Sequence, residues 1–202
     1  MKKLTIFTLA IVLIFILAAC NGGGNNPYSS ATIGDIIQLG GLDWLVINVH
    51  DNKALILSDK ILEDRIYHSS REEITWEQST LRQYLNGAFY ENTFTATEKE
   101  FIIETTLKTE ESNDTNDKVF LLSIDEINTY MGDEAHINIR NARIATHIVL
   151  ERTSDWWLRS PCPSRTDSAA TVDGGDYYGG LINSSWFDSS RGVRPALWLS
   201  IE

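Results

Sequence analysis

The sequence predicts an α+β domain in which short helices and long loops flank a small, twisted antiparallel sheet. Three features of the 202 residues point to this class. Short apolar runs separated by turn residues come first, helically spaced apolar positions with capping signals follow, and strand-and-loop sequence fills the C-terminal part. Together they favour two or three helices packed against one sheet.

The strand prediction starts from three apolar runs near the beginning of the domain. They cover residues 36–39, 44–49 and 54–57, and the last two are separated by the turn sequence His-Asp-Asn-Lys at 50–53. Short runs bounded by turn residues are typical of paired strands. This part of the chain is therefore predicted to be a meander.

The helix prediction rests on periodicity and on capping signals. Leu81, Leu85 and Ala88 recur at intervals of four and three residues, the spacing of one helix face. Between the later two helices, residues 109–118 are acidic and polar and predict a surface loop, and residues 119–122 predict a buried strand. Each of three helix starts carries a capping box, formed by Thr75 with Gln78, by Thr95 with Glu98, and by Ser123 with Glu126.

The N-terminus has the layout of a secretory signal. Lys2 and Lys3 give a positive start, and residues 4–19 are apolar apart from two threonines. This run is shorter than the roughly 20 apolar residues that a membrane-spanning helix needs. Residues 1–19 are therefore predicted to be a signal peptide, ending in Leu-Ala-Ala before Cys20.

The Leu-Ala-Ala-Cys sequence resembles the lipobox of bacterial lipoproteins, whose cysteine is acylated and becomes the new N-terminus. The resemblance implies that Cys20 carries fatty acids such as palmitate and holds the chain at the outer face of the cell membrane, since two acyl chains anchor stably. An uncleaved anchor helix, or an ordinary signal peptide cleaved near Ala19, are the alternatives. Residues 20–32 are expected to be a flexible, Gly-rich tether, and residues 33–202 a single domain.

Charge argues against one class of partner. Acidic side chains number 28 and basic ones 17, for a net charge of −11, and removal of Lys2 and Lys3 with the signal makes the mature chain more negative. Nucleic acid and anionic lipid surfaces are therefore not expected partners. If Cys20 is acylated, Cys162 is the remaining thiol, and no intramolecular disulfide is expected.

Two C-terminal motifs carry a family resemblance. Trp-Trp-Leu-Arg-Ser-Pro at 156–161 and Gly-Val-Arg-Pro-Ala-Leu-Trp-Leu at 192–199 resemble a bacterial family known as domain of unknown function 6273. Residues 74–76, 117–126 and 173–174 extend the resemblance in the same order over nearly the whole mature chain. It implies a domain carried by secreted and surface proteins of Gram-positive bacteria and assigns no activity.

The closing Gly-Val-Arg-Pro-Ala sequence also resembles the last strand of C-type-lectin-like domains and of formylglycine-generating enzymes, the sulfatase-modifying-factor fold. That resemblance implies that the strand closes the core sheet and that long irregular loops project from it. The formylglycine-generating enzymes hold a copper ion with a pair of cysteines, whereas Cys162 stands alone here. No metal site is expected on this ground.

Arg159 and Arg194 lie inside apolar strand sequence. Because an unpaired buried charge is costly, each is predicted to meet a carboxylate or a set of carbonyl oxygens and to be structural, with ligand binding as the alternative. Trp156 and Trp157 are neighbours on one predicted strand and so face opposite sides. We expect one in the core and the other along a surface groove.

Catalytic signatures are weak. No nucleophile elbow, phosphate-cradling loop or dinucleotide fingerprint is present. Cys162, between two prolines, is the conspicuous nucleophile if Arg159 or Arg165 lowers its pKa, and an inert thiol is the alternative. No pair at metal-ligand spacing is formed by the four histidines, which are His50, His68, His136 and His147.

A stretch rich in Gly, Asp, Tyr and Ser near the C-terminus has the composition of a recognition loop, because Tyr and Trp supply rigid contact area and Ser, Gly and Asn adapt their hydrogen bonds. The candidate ligand-binding residues are Asp173, Asp176, Tyr177, Tyr178, Trp186 and Asp188. Plain hairpin turns at 173–174 and 179–180 are the alternative. Asp173, Asp176 and Asp188 could ligate calcium, but no calcium motif is present and no cofactor is expected.

The sequence thus predicts a lipid-anchored binding module for an extracellular ligand, a glycan or a surface protein. One alternative is an extracellular enzyme whose site is assembled from scattered residues around Cys162. The other is a structural envelope lipoprotein without a small ligand. Analogy at the level of the fold supports the first prediction in part and does not fix function.

Overall fold

The computed structural model describes residues 26–108, 113–175 and 180–202. Cys20, the signal peptide before it and the first residues of the tether lie outside these ranges, so the predictions made for them stay predictions. Within the described ranges, no helix is both long enough and apolar enough to cross a membrane.

Twelve strands run through the described residues. In chain order they are β1 (Ile36–Leu39), β2 (Leu42–His50), β3 (Lys53–Ser58), β4 (Glu63–Ile66), β5 (Ile102–Ile103), β6 (Thr105–Leu107), β7 (Thr115–Asp117), β8 (Trp156–Cys162), β9 (Arg165–Val172), β10 (Ile182–Trp186), β11 (Ser190–Val193) and β12 (Ala196–Ser200). The helices are short: α1 (Thr80–Tyr84), α2 (Tyr90–Thr93), α3 (Ala96–Lys99), α4 (Ile124–Met131) and α5 (Ile137–Asn141), with a π-helical turn at Leu85–Phe89 between the first two.

Ten of these strands form two five-stranded sheets. The first sheet has the order β1-β2-β3-β12-β5 and the second sheet the order β10-β9-β8-β11-β4. Strand pairs are antiparallel except β8 with β11, which meet in parallel at Trp156 and Gly192. The α+β class is confirmed, whereas the prediction of a single small sheet is wrong.

The two sheets are joined where one antiparallel ladder is interrupted. β3 and β12 pair as far as Leu57 and Ala196, and pairing resumes between β4 and β11 at Glu63 and Val193. Residues 58–62 therefore face only two residues of the other strand, which makes a large bulge. Because a bulge bends its strand and increases the local twist, the chain passes from one sheet into the next at this point.

Arg194 lies at the bulge and is fully buried. Its Nε donates to the Ser58 carbonyl at 2.7 Å, Nη1 to that of Ala142 at 2.5 Å, and Nη2 to that of Asp59 at 3.2 Å. Burial lowers the pKa of Arg194 to about 10, against the opposing charge of Asp59, so the side chain stays cationic at neutral pH. The carbonyl partners predicted for this arginine are present.

Two of the three predicted capping boxes are confirmed. Thr95 with Glu98 caps α3, and Ser123 with Glu126 caps α4, each through reciprocal side-chain and backbone hydrogen bonds. The box predicted at Thr75 is wrong, because α1 begins one turn later, where the Ser79 hydroxyl accepts the Arg82 amide at 3.0 Å.

The polar stretch at 109–118 is only partly a surface loop. β7 lies within it, and Asp117 at its end has no solvent-exposed surface. The carboxylate accepts hydrogen bonds from Trp76 Nε1 at 2.8 Å and from Arg82 Nε at 2.7 Å. A charged residue is buried here because donors from other elements satisfy it. The next residues, 119–122, are buried as predicted but make only one bridge, from Phe120 to Ala196.

Trp156 and Trp157 are both fully buried, so the prediction that one lines a surface groove is wrong. Trp156 packs against the Arg194 guanidinium at 5.1 Å on one side of the second sheet. Trp157 packs against Tyr67 at 5.5 Å and donates to the Arg65 carbonyl at 2.8 Å on the other. The sheet is covered on both faces, which alternation along one strand cannot reveal.

Two residues that precede the predicted domain start at residue 33 contact the domain. The Asn26 side chain donates to the carbonyls of Ser200 and Glu202, both at 2.8 Å. The Tyr28 ring packs edge-on against Phe101, with 5.4 Å between centroids. Asn26 and Tyr28, two residues of the predicted tether, thus contact the C-terminus and Phe101 of the domain.

Replacement of Arg194 by Met is expected to lower the free energy of unfolding by about 3 kcal/mol or more, because several buried carbonyl oxygens lose their donors. The measurement is urea unfolding of the purified chain. Arg152→Met, at an exposed arginine, serves as the matched control and should change stability by no more than about 0.5 kcal/mol. Equal stability of the two variants would show that Arg194 is not essential to the junction.

Candidate functional site

An open groove of about 910 Å³ lies at the end of the second sheet where β8 turns into β9. Its walls come from residues 73–76, 123–125 and 159–167, together with Tyr67, Lys108 and Phe187. The volume falls in the upper part of the range of roughly 300–1,000 Å³ that is usual for small-ligand sites.

The base of the groove is aromatic. Tyr67 stacks on Phe187 with 5.3 Å between ring centroids and lies 6.1 Å from Trp76. Its hydroxyl donates to the Arg159 carbonyl at 3.0 Å. Burial raises the pKa of Tyr67 well above its ordinary value, although the nearby charge of Arg159 works against this rise, so Tyr67 is a neutral packing residue.

A buried ion pair fixes one wall. Arg159 Nη2 donates to Glu126 Oε1 at 2.9 Å, Nη1 contacts Glu126 Oε2, and Nη1 also donates to the Leu121 carbonyl at 2.9 Å. Glu126 belongs to the capping box of α4, and the Ile124 amide donates to the Ser160 hydroxyl at 3.0 Å. Arg159 has the carboxylate partner predicted for it, and the pair docks the start of α4 on β8.

Two polar atoms of groove residues have no hydrogen-bond partner among the described residues. They are the hydroxyl of Thr75 and the Nε of Arg159, and both are inaccessible to solvent. Buried polar atoms without partners are uncommon in native structures, and each asks for an explanation such as a bound group or ordered water.

Cys162 lines the groove and is only 8% exposed. Burial of the thiol raises its pKa, but hydrogen bonds from the side chains of Ser164 and Ser184 and from the backbone of Ser164 and Arg165 outweigh this effect, so the pKa lies below its ordinary value. The thiol is thus a better nucleophile than burial alone would allow.

Trp186 packs against Arg165, which lines the groove, and Asp188 follows two residues later in the chain. Trp186 is 43% exposed, and the guanidinium carbons of Arg71 and Arg165 lie 4.4 and 5.3 Å from its ring centroid. Asp188 accepts from Arg71 Nε at 2.8 Å. At least one face of the indole is therefore covered by a cation instead of being free for a sugar ring.

Asp173 lies at the opposite end of the same hairpin. β9 and β10 pair from Val172 with Ile182 to Ser168 with Trp186, so about 13 Å of strand separates the two ends. Asp173 closes the connection, since its amide donates to Leu181 and its carbonyl accepts from Gly180. This fits the hairpin-turn alternative, and Asp173 and Asp188 are too far apart to share one calcium ion.

Asp176, Tyr177 and Tyr178 lie outside the described residues. In the part of the chain that is described, no group of three or more His, Cys, Asp or Glu side chains is arranged to hold a metal ion. The predicted recognition loop is thus divided between two ends of the hairpin, with Asp173 at one end and Trp186, followed by Asp188, at the other.

Residue spacing alone does not reveal the groove, although one signal for it is present in the sequence. Segments 74–76, 117–126 and 156–161 carry the family resemblance, and parts of all three line the groove. Motif segments far apart in sequence that meet at one cavity could have indicated it. Their meeting depends on tertiary contacts that sequence spacing does not encode.

The fold and the groove define a small α+β domain with a concave site formed by loops at one end of a sheet. The chain belongs to the family described as Domain of unknown function (DUF6273), whose profile matches residues 51–201. This confirms the resemblance drawn from the two C-terminal motifs. No curated protein matches the chain.

Alkylation of Cys162 should follow the lowered pKa of its thiol. The rate of iodoacetamide labelling in the native chain is expected to reach half its maximum at a lower pH than in the urea-unfolded chain, because the native thiolate is favoured. Mass spectrometry of the Cys162 peptide measures the rate separately from any reaction of Cys20. Ser184→Ala should move the native midpoint upward. A native midpoint at or above the unfolded one would contradict this assignment.

Proposed function

We propose that this protein is a lipid-anchored, extracytoplasmic binding module that takes an extracellular ligand into the groove. The groove carries the proposal, because it joins a ligand-sized volume to segments from three distant parts of the chain.

A carbohydrate suits the groove better than a folded protein surface. The site is concave, aromatic at its base, and rimmed by hydroxyls and charged groups, including Ser160, Thr166 and Asp125. Small polar ligands are bound by this combination of apolar walls and a few oriented polar groups. A protein partner would have to insert a loop, which is the second outcome that the binding test below distinguishes.

Membrane attachment through Cys20 remains part of the proposal. Five residues lie between Cys20 and Asn26, which is hydrogen-bonded to the C-terminal strand. A chain of this length spans at most about 20 Å. The proposed anchor would therefore keep the domain close to the membrane surface, and ligands would be those of the cell envelope or its surroundings.

An extracellular enzyme is the second candidate, and one observation favours it. Cys162 combines a place in the groove with a lowered pKa, as a thiol nucleophile requires. Loss of any discovered turnover in Cys162→Ser, with ligand binding unchanged, would establish this alternative over simple binding. Unchanged turnover in that variant would exclude Cys162 as the nucleophile.

The likeness to C-type-lectin-like and sulfatase-modifying-factor domains is kept as a proposal about the fold. Residues 192–199 supply the end of β11 and most of β12, which are interior strands of the second and the first sheet, and this interior position supports a closing strand of that kind. Loops that carry a ligand site beside such a sheet would fit the proposed binding role.

Binding to a glycan and envelope-polymer array tests the proposal directly. The purified full chain in detergent is compared with Thr166→Trp, which fills the groove, and with Thr97→Trp, a matched change at an exposed position of α3. We expect Thr166→Trp to weaken binding by at least about tenfold and Thr97→Trp to leave it unchanged. Parallel arrays with calcium and with a chelator test whether binding requires calcium.

Four outcomes would count against the proposal. Equal binding by Thr166→Trp and the unchanged chain would place the ligand elsewhere, and a loss confined to Trp186→Ala would move it to the hairpin. No binding on any array, together with binding of a purified surface protein, would favour a protein partner. No binding in either the array or the protein test would favour the structural role.

Replacement of Cys20 by Ser tests the anchor. We expect the unchanged chain to carry an N-terminal mass increase equal to a diacylglyceryl group. It should also sediment with membranes, because two acyl chains anchor a protein stably. The Cys20→Ser chain should lose that mass and remain as the unprocessed precursor. Identical N-terminal masses in the two chains would contradict lipidation.

A further inference from the structure

A smaller pocket of about 200 Å³ adjoins the groove between β10 and the start of β11. It is lined by two arginines, Arg165 and Arg191, by Trp186 and by four serines, and no carboxylate lines it within the described residues. On a chain with a net charge of −11, this is an unusual lining. Arg165 lines the groove as well, so the two spaces share a wall.

Both guanidinium groups keep a free donor. Arg165 donates through Nε and Nη2 to Asp167, at 3.0 and 3.1 Å, which leaves Nη1 without a partner among the described residues. Arg191 donates through Nε to the Ser185 hydroxyl at 2.9 Å and through Nη1 to the Ser190 carbonyl at 2.8 Å. Its Nη2 has no hydrogen-bond partner among the described residues. Each guanidinium is thus held in place by hydrogen bonds through two of its nitrogens, and the third nitrogen can donate to a ligand.

Carboxylates lie near these arginines but do not occupy the pocket. Asp167 holds Arg165 from outside the lining, and Asp155 lies 3.6 Å from Arg191 Nε. Arginine already fixed by such partners loses less conformational entropy when it binds a further oxyanion. Hydroxyls such as that of Ser189 add neutral donors at the same place.

The geometry points to an anion-binding subsite in this pocket, which holds a phosphate, sulfate or carboxylate group of the ligand that occupies the groove. The inference rests on the proposed function, because Arg165 belongs to both spaces. It assigns the ligand class as an anionic glycan or anionic envelope polymer. Trp186 then acts as a wall that supports the guanidinium of Arg165 and is not a sugar-stacking platform.

The test is titration of the purified full chain in detergent with inorganic phosphate and, separately, with acetate, at constant ionic strength, by calorimetry. Arg191→Gln and Arg165→Gln should each weaken uptake by at least about tenfold, because a charge-assisted hydrogen bond is lost. The matched control is Arg71→Gln, which removes the other guanidinium at Trp186; Arg71 is not itself a lining residue, so uptake should stay unchanged.

The phosphate and acetate titrations distinguish the source of the anion. Tighter phosphate binding indicates a phosphate or sulfate ester, and tighter acetate binding indicates an acidic sugar or other carboxylate. Absence of uptake of both by the unchanged chain, or an equal loss in Arg71→Gln, would overturn the subsite. Urea midpoints within error of the unchanged chain show that the variants fold.

Failure of this inference can be told apart from failure of the proposed function. A neutral array ligand that is lost in Thr166→Trp and retained in Arg191→Gln would keep the groove and overturn the anion subsite. Phosphate uptake that is lost in Arg191→Gln, with no array ligand for the groove, would support the subsite and contradict the proposed function.

Discussion

The fold depends on the way Arg194 satisfies the interrupted ladder between the two sheets. The bulge leaves carbonyl oxygens of Ser58 and Asp59 without ladder partners, and the guanidinium supplies the donors that they need. The same side chain holds Ala142 at the end of α5 and packs on Trp156 of β8. One buried cation thus ties the first sheet, the second sheet and a helix together, and removal of its charge would leave several acceptors buried and unpaired.

The groove depends on a second buried arginine with a different kind of partner. Arg159 is neutralised by Glu126, and this pair joins β8 to the start of α4. Asp117, paired with Arg82, holds the Trp76 side chain that lines the groove. Because these charges are already matched inside the protein, they shape the site and leave recognition to the groups that face the groove and its side pocket.

Local signals predicted much of the secondary structure. The capping boxes at Thr95 and Ser123 and the turn at residues 50–53 depend on contacts within a few residues, and sequence spacing encodes such contacts directly. The helix start predicted at Thr75 is wrong. The Thr75 amide does donate to the Gln78 side chain at 3.1 Å, but the helix begins only after Ser79. A capping pattern shows that a local bond can form, but not which of two neighbouring candidates begins the helix.

The sequence by itself determined the family, the α+β class, and the need of Arg159 and Arg194 for polar partners, because motif order, periodicity and the cost of buried charge are all visible in one chain. Only the tertiary structure decided that Trp157 and Asp117 are buried, since coverage of a sheet's second face comes from segments distant in sequence. It likewise separated Asp173 from Asp188 and formed the groove. These outcomes depend on how the sheets curl and meet, which the spacing of residues along each strand does not specify.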